Sequence, residues 1–182
     1  IQRYSVDECF MDYTGSERKF GDPVSCAHRI RRRIREELGF TVNIGVAENR
    51  LLAKMASDFK KPNLVHTLFP EEIPQKMWPL PVGELFFVGP SMCKKLEALG
   101  IHTIGDVAAS NPKLLVSHFK KHGELIWNYA NGFDIELPVN HKAANKSFGN
   151  SVTLHFDVTD AENAKTILLS LSETVGARIR AE

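Results

Sequence analysis

The 182 residues exceed an ordinary small domain, and 43% hydrophobic against 25% charged residues is globular composition, enough to bury a core and unlike a disordered chain. Lysine and arginine (23) barely exceed aspartate and glutamate (22), and no segment is strongly basic, which excludes a broad positive field as the means of holding nucleic acid. Cys9, Cys26 and Cys93 are odd in number and widely spaced, and no apolar run reaches the length of a membrane helix; a disulfide framework, a structural zinc site and a helical membrane span are excluded, and a reduced, cytoplasmic setting is the simplest reading.

Tyr-Ser-Val-Asp-Glu-Cys-Phe-Met-Asp-Tyr, residues 4–13, reads as β-strand from its Tyr, Val, Phe and Met, yet it holds the adjacent acids Asp7 and Glu8, which strands avoid. The pair is expected at a hairpin bend or strand end facing a cleft. Taken alone it is either a solvated turn or a set of oxygen ligands suited to Mg²⁺. Asp22 and Pro23 mark a helix start, with aspartate as cap, for a helix ending near Leu38-Gly39 that buries Val24, Ala27, Ile30, Ile34 and Leu38. Arg29, Arg31, Arg32, Arg33 and Arg35 surround that stripe and precede Glu36 and Glu37, so a solvated outer face is expected. Thr41 to Ala47 reads as a strand supporting Asp7 and Glu8 from the side, and Asn49 to Asp58 as a helix, with Leu51, Leu52, Met55 and Phe59 at helical spacing. Pro62 and Asn63 stop that helix and leave Lys60 and Lys61 at its end, where cations are mildly stabilising whatever else they do.

Strand, helix, strand, helix over residues 1–59 makes an α/β unit of the split-βαβ kind, so the chain is α+β with a partial sheet domain first. Leu64 to Phe69 reads as a further short strand, and Pro70, Pro74, Pro79 and Pro81 punctuate a connector with a domain boundary near residue 75. Pro81 to Leu96 reads as helix, Gly89-Pro90 hairpin and helix, continuing through Leu99 to Val107 into another short helix; backbone N–H groups at such a helix start can hold a phosphate. Helices follow over 111–132, where Trp127 and Tyr129 are assigned to core and His118, Lys120, Lys121 and His122 to solvent. Residues 139–146 read as a polar linker. A strand over Val152 to Phe156 and a helix from Asp160, burying Ala164, Ile167, Leu168, Leu171, Val175 and Ile179, follow; a lone strand and helix cannot cover their apolar faces, so this end is expected to pack elsewhere, pair with a second copy or be poorly ordered.

Residues 4–12 resemble the palm motif of Y-family translesion DNA polymerases, Tyr-Ser-(Ile/Val)-Asp-Glu-(Ala/Cys)-(Phe/Tyr)-(Leu/Met)-Asp. The stretch from Gly45 to Pro62 is similar to a second family motif, Gly-(Ile/Val)-(Ala/Ser)-x-Asn-(Lys/Arg) continuing to Lys-Pro. By that resemblance Asp7 and Glu8 are catalytic carboxylates and metal ligands, Ser5 is the motif's serine at the nucleotide, and Lys61 contacts the triphosphate of the incoming nucleotide, with Lys54 nearer the helix–sheet packing. The hairpin around Gly89, Ser91 and Lys94 resembles the family's DNA-binding thumb, with Ser91 where a second glycine is usual, and Lys146-Ser147-Phe148-Gly149 resembles the start of the DNA-gripping little finger.

The resemblance covers essentially the whole chain and implies a palm over 1–75, a helical thumb over 76–138, the linker 139–146 and the beginning of a little finger over 147–182. It implies template-directed, low-fidelity DNA synthesis across damaged sites, with two Mg²⁺ ions in the complete enzyme and primer–template DNA and a deoxynucleoside triphosphate as partners. A sliding clamp is a further expected partner only through carboxyl-terminal sequence outside these residues. The family's first metal-binding aspartate and its fingers belong to a more amino-terminal segment, so the chain reads as a catalytically incomplete fragment. Two rivals from other classes remain: a non-catalytic helix-hairpin-helix DNA-binding module, and a nucleotidyl cyclase-like palm, which would have no use for residues 81–132.

Overall fold

A computed structural model describes residues 1–134 and 147–181, with the linker stretch and Lys146 outside the described residues. The chain divides into two units, Ile1–Leu137 and Pro138–Glu182. In the first, β1 (Gln2–Arg3) and β2 (Cys9–Phe10) pair antiparallel as a hairpin, with Gln2 opposite Phe10. After a short α1 (Glu17–Phe20) comes α2 (Pro23–Leu38), started by Asp22, whose Oδ1 accepts the Ser25 N–H at 2.9 Å, and closed by Gly39 in the left-handed conformation. β3 (Ile44–Val46) then runs parallel to β4 (Val65–Thr67), and α3 (Arg50–Asp58) crosses over between them, as a parallel pair requires.

β3 belongs to this second two-stranded sheet and not to the hairpin's, so it does not flank Asp7 and Glu8 through backbone pairing as expected. It is also shorter than expected, because the Leu64 N–H that would extend the ladder is taken by the Asn43 side chain. β3 instead supports α3. A Cβ on Gly45 would lie 1.9 Å from the Ala53 carbonyl oxygen, so strand and helix meet backbone to backbone at a distance only glycine permits.

Leu51, Leu52, Met55 and Ala56 of α3 are buried in one apolar cluster with Leu68, Ile73, Met77, Val82, Leu85 and residues of the later helices up to Ala130. The expected border near residue 75 falls inside this unit. The chain passes through α4 (Ile73–Lys76), α5 (Pro90–Ala98), α6 (Ile104–Ala109), α7 (Pro112–Phe119) and α8 (Lys121–Ala130). The helix expected before Gly89 is only a 3-10 turn, Val82–Glu84, after which Phe87 takes φ +70; three residues between Pro81 and the extended Leu85 cannot close an α-helical ladder. Tyr129 is buried and Trp127 donates its Nε1–H to the Ser110 carbonyl at 3.1 Å, as core aromatics do. Leu38, expected in the α2 stripe, is the last residue of the helix before Gly39 and is 63% exposed.

The second unit is α9 (Ala161–Arg180), capped by Asp160, together with irregular chain from residue 147. Ala164, Ile167, Leu171 and Val175 are partly covered, while Leu168 and Ile179 are exposed. No strand forms over Val152 to Phe156: a β-ladder needs a neighbouring strand, and the described residues of this unit provide none. No described helix is long and apolar enough to cross a membrane.

Candidate active site

The acids sit at the bend of the β1–β2 hairpin. Tyr4 and Ser5 both donate their N–H groups to the Glu8 carbonyl, at 2.9 and 3.1 Å, closing a tight loop around Val6 and Asp7. The Ser5 hydroxyl donates to Asp7 Oδ1 at 2.7 Å, so it fixes the aspartate's rotamer. Tyr4 and Phe10 pack edge to face, 5.3 Å apart, and the Arg50 guanidinium lies 5.9 Å from the Phe10 ring and donates to Gln2 at 3.3 Å. These contacts seat the hairpin on the first turn of α3. That turn is capped by Asn49, which accepts the Leu52 N–H at 2.8 Å and donates to the Gly132 carbonyl at 2.9 Å.

One turn along α3, Lys54 reaches back to the hairpin. Its Nζ lies 2.5 Å from Glu8 Oε1 and 3.0 Å from Asp58 Oδ2, and Asp58 Oδ1 in turn accepts from Lys61 Nζ at 2.8 Å. Glu8, Lys54, Asp58 and Lys61 thus form a continuous chain of alternating charge from the acid pair to the predicted phosphate lysine. Burial alone would pull the Lys54 ammonium down, but its contacts with Glu8 and Asp58 outweigh this and raise its pKa. Burial pushes the Asp58 carboxyl up, and the hydrogen bonds from Lys61 and Lys54 more than reverse it, so it lies below the usual aspartate value.

Lys61 itself is 59% exposed, and the turn that presents it is anchored from behind. Asn43 donates to the carbonyls of Ser57 and Lys60, at 3.0 and 2.6 Å, and accepts the Leu64 N–H at 3.0 Å. Arg31 donates to the Asn63 carbonyl, which removes it from the solvated arginine face expected of α2. Sequence reading missed Asn43, Arg31, Asp58 and the Lys54–Glu8 pair. Only the i, i+4 spacing of Lys54 and Asp58 and the i, i+3 spacing of Asp58 and Lys61 were visible signals.

The donor set suits a hard divalent cation. Asp7 uses Oδ1 for Ser5 and Glu8 uses Oε1 for Lys54, and among the described residues the second oxygen of each carboxylate accepts no hydrogen bond. Magnesium takes one or two protein carboxylates and fills its shell with water and phosphate oxygens, which two adjacent acids can serve. No group of three or more metal-ligating side chains occurs among the described residues.

At the other predicted site, Gly89 is the cap of α5 and its carbonyl accepts the Met92 and Cys93 N–H groups, at 3.0 and 2.9 Å. Ser91 is the second helical residue and does not cap, because Gly89 already occupies the capping position. Gly89, Ser91 and Lys94 are all exposed, as is Ser147 in the second unit. The 3-10 turn at Val82 and the residues before it are tied to the start of α6 through Val82 N–H to the His102 carbonyl (2.8 Å) and Ile104 N–H to the Leu80 carbonyl (3.0 Å).

Residues 1–58 match the impB/mucB/samB family, and residues 70–101 match the helix-hairpin-helix motif of the same family. DNA polymerase IV of Clostridium acetobutylicum is 49% identical over 99% of this chain and 45% of its own length. DNA polymerase IV of Acetivibrio thermocellus is 39% identical over 99% of the chain and 46% of its length. Among solved structures, a Y-family DNA polymerase chimera of Dbh and Dpo4 superposes with a TM-score of 0.80 at 28% identity, over 97% of this chain and 51% of the chimera. The chain belongs to the Y family of DNA polymerases. It spans about half the length of the relatives it matches. An insertion ternary complex of Dbh DNA polymerase matches with a TM-score of 0.57 at 27% identity, over 66% of this chain and 35% of that one. The family match over residues 1–58 contains the hairpin acids and Lys54, Asp58 being its last residue, and the second match contains the Gly89 hairpin.

Proposed function

We propose that this Y-family chain takes part in template-directed DNA synthesis across damaged sites, by attack of a primer 3′-hydroxyl on the α-phosphate of a deoxynucleoside triphosphate with loss of pyrophosphate. The single observation that carries the reading is the alternating-charge chain Glu8–Lys54–Asp58–Lys61, which links an oxygen-only acid pair to an exposed lysine across one helix. Asp7 and Glu8 would hold a divalent ion, Mg²⁺ in our reading, through their second oxygens. When bound, such an ion activates the attacking oxygen and neutralises charge on the phosphates.

The protein's own part is positioning. Ser5 holds Asp7 in one rotamer, the Tyr4–Phe10 packing keeps the hairpin seated on α3, and Lys61 supplies a mobile ammonium to the triphosphate. Gly89, Ser91, Lys94 and Ser147 are proposed DNA contacts, the first through backbone N–H groups at the start of α5. Residues 1–75 act as palm, 76–138 as thumb and 147–182 as the beginning of the little finger. With two carboxylates of a two-metal site, the 182 residues alone are expected not to extend a primer.

The test is primer extension opposite an abasic template site by a full-length polymerase carrying this sequence, wild type beside Asp7→Ala and Glu8→Ala. Incorporation that requires Mg²⁺ and disappears in both variants is the expected result. Salt-sensitive DNA binding with no incorporation by wild type would move the chain to a binding module and leave the acids as turn residues.

A further inference from the structure

Lys54 is the most enclosed member of the Glu8–Lys54–Asp58–Lys61 chain. Its side chain is 14% exposed, against 38% for Glu8 and 40% for Asp58. The ammonium stands between two carboxylates that reach it from different parts of the fold, Glu8 from the hairpin and Asp58 from the last turn of α3, at 2.5 and 3.0 Å. Without that ammonium, the same two groups would offer a divalent ion a pair of facing oxygen ligands. With it, the space between them is already filled by a positive charge.

We propose that Lys54 is a built-in cation that decides on which side of Glu8 a metal ion sits. It occupies the Glu8–Asp58 side, and leaves the second Glu8 oxygen, with Asp7, as the acidic pair open to the ion at this hairpin among the described residues. Lys54 is a positioning residue, since it acts through Glu8. A shorter or more mobile ammonium would not do this. The Lys54 side chain is largely enclosed and two carboxylates hold its head, so leaving the gap would take the ammonium from Glu8 and leave Asp58 with Lys61 alone. Asp58 is held in place from its other oxygen by Lys61, at 2.8 Å, so the gap has a fixed width on that side. The inference rests on the metal-ligand reading of Asp7 and Glu8 given above.

The test is a titration of the 182-residue chain with Mn²⁺, counting bound ions from the loss of the free-ion electron paramagnetic resonance signal, with circular dichroism to check the fold of each variant. Wild type is expected to bind one equivalent, lost in Asp7→Ala. Lys54→Met is expected to bind a second equivalent, lost again in Lys54→Met/Asp58→Asn, while Lys54→Arg, which keeps the charge, stays at one. Mn²⁺ should also raise the melting temperature of Lys54→Met more than that of wild type. Should Lys54→Met not fold, Lys54→Gln replaces it in the same titration with the same expectation. A single equivalent of wild-type affinity in the uncharged Lys54 variant, or a second equivalent that survives Asp58→Asn, overturns the proposal. If wild type binds no ion that depends on Asp7, the metal-ligand reading fails, while a gained ion in Lys54→Met still upholds the blocking role of Lys54.

Discussion

Gly45→Ala is expected to be among the most damaging small substitutions in this chain. The new Cβ would lie 1.9 Å from the Ala53 carbonyl oxygen, 2.8 Å from the Ala53 carbonyl carbon and 2.7 Å from the Ser57 nitrogen, where 3.4 Å is ordinary contact. All three atoms are backbone in α3, so no side chain can rotate away; β3 and α3 must separate by roughly 1 Å or more. That displaces Leu51, Leu52, Met55 and Ala56 from the cluster they share with the later helices. Overpacking costs about 1–3 kcal/mol where side chains can adjust, and a rigid backbone clash belongs at the upper end, about 3 kcal/mol. For a unit of this size that is a fall in Tm of about 6–12 °C. The same movement pulls Lys54 off Glu8, so the hairpin would lose its tether along with the stability. Thermal and urea unfolding followed by circular dichroism measure the cost. Gly89→Ala is the control: its Cβ meets nothing within 4 Å and its φ is −81, so about 1 kcal/mol or less is expected. A Gly45→Ala protein as stable as the Gly89→Ala control would refute the close-approach reasoning.

Asn49→Ala removes both the α3 cap and the tie to Gly132, and should cost about 2 kcal/mol in urea unfolding; a loss under about 0.5 kcal/mol would show that water replaces both bonds. Lys61→Ala should raise the KM for nucleotide about tenfold or more in a full-length polymerase, with Tm unchanged within about 2 °C because the Lys61–Asp58 pair is exposed; an unchanged KM would remove Lys61 from the triphosphate. The backbone N–H groups of Thr103 and His102 hold the Asp106 carboxyl below its ordinary value near 3.8. A lowered carboxylate pKa stabilises the fold at pH values above the unfolded value and loses that contribution as pH falls through the folded one. The stability difference between wild type and Asp106→Asn should therefore be full above about pH 4 and shrink below it, in urea titrations from pH 7 to pH 3. A difference that is constant with pH would mean that the charge plays no part in capping α6.

Local physics was legible in the chain. The Asp22 cap, the Pro23 start and the Gly39 stop of α2 are set by backbone hydrogen-bonding and φ preferences that act within a few residues, and they stand as read. So does the bend at Asp7 and Glu8, since two acids cannot continue a half-buried strand. The apolar spacing of α3 named Leu51, Leu52 and Met55 among its buried residues, but not Ala56, and Phe59, named with them, is half-buried. Where reading failed, a partner distant in sequence was needed. The strand over Val152 to Phe156 requires a neighbour to share its hydrogen bonds, and β3 pairs with β4 and not with the hairpin because α3 carries the chain across to a parallel partner. The helix foreseen before Gly89 gave way to a 3-10 turn whose following residues, Leu85 and Val88, are buried in the shared core.

The candidate site divides in the same way. The side chains proposed to carry its chemistry, Asp7, Glu8 and Lys61, could be named from motifs, because oxygen ligands and an ammonium are properties of residues. That Lys54 lies against Glu8, 46 positions away, and that Asn43 and Arg31 anchor the turn bearing Lys61, could not. Charge pairing acts over a few ångströms in space and leaves no periodic trace along the chain, so only the packing of the hairpin on α3 decides it.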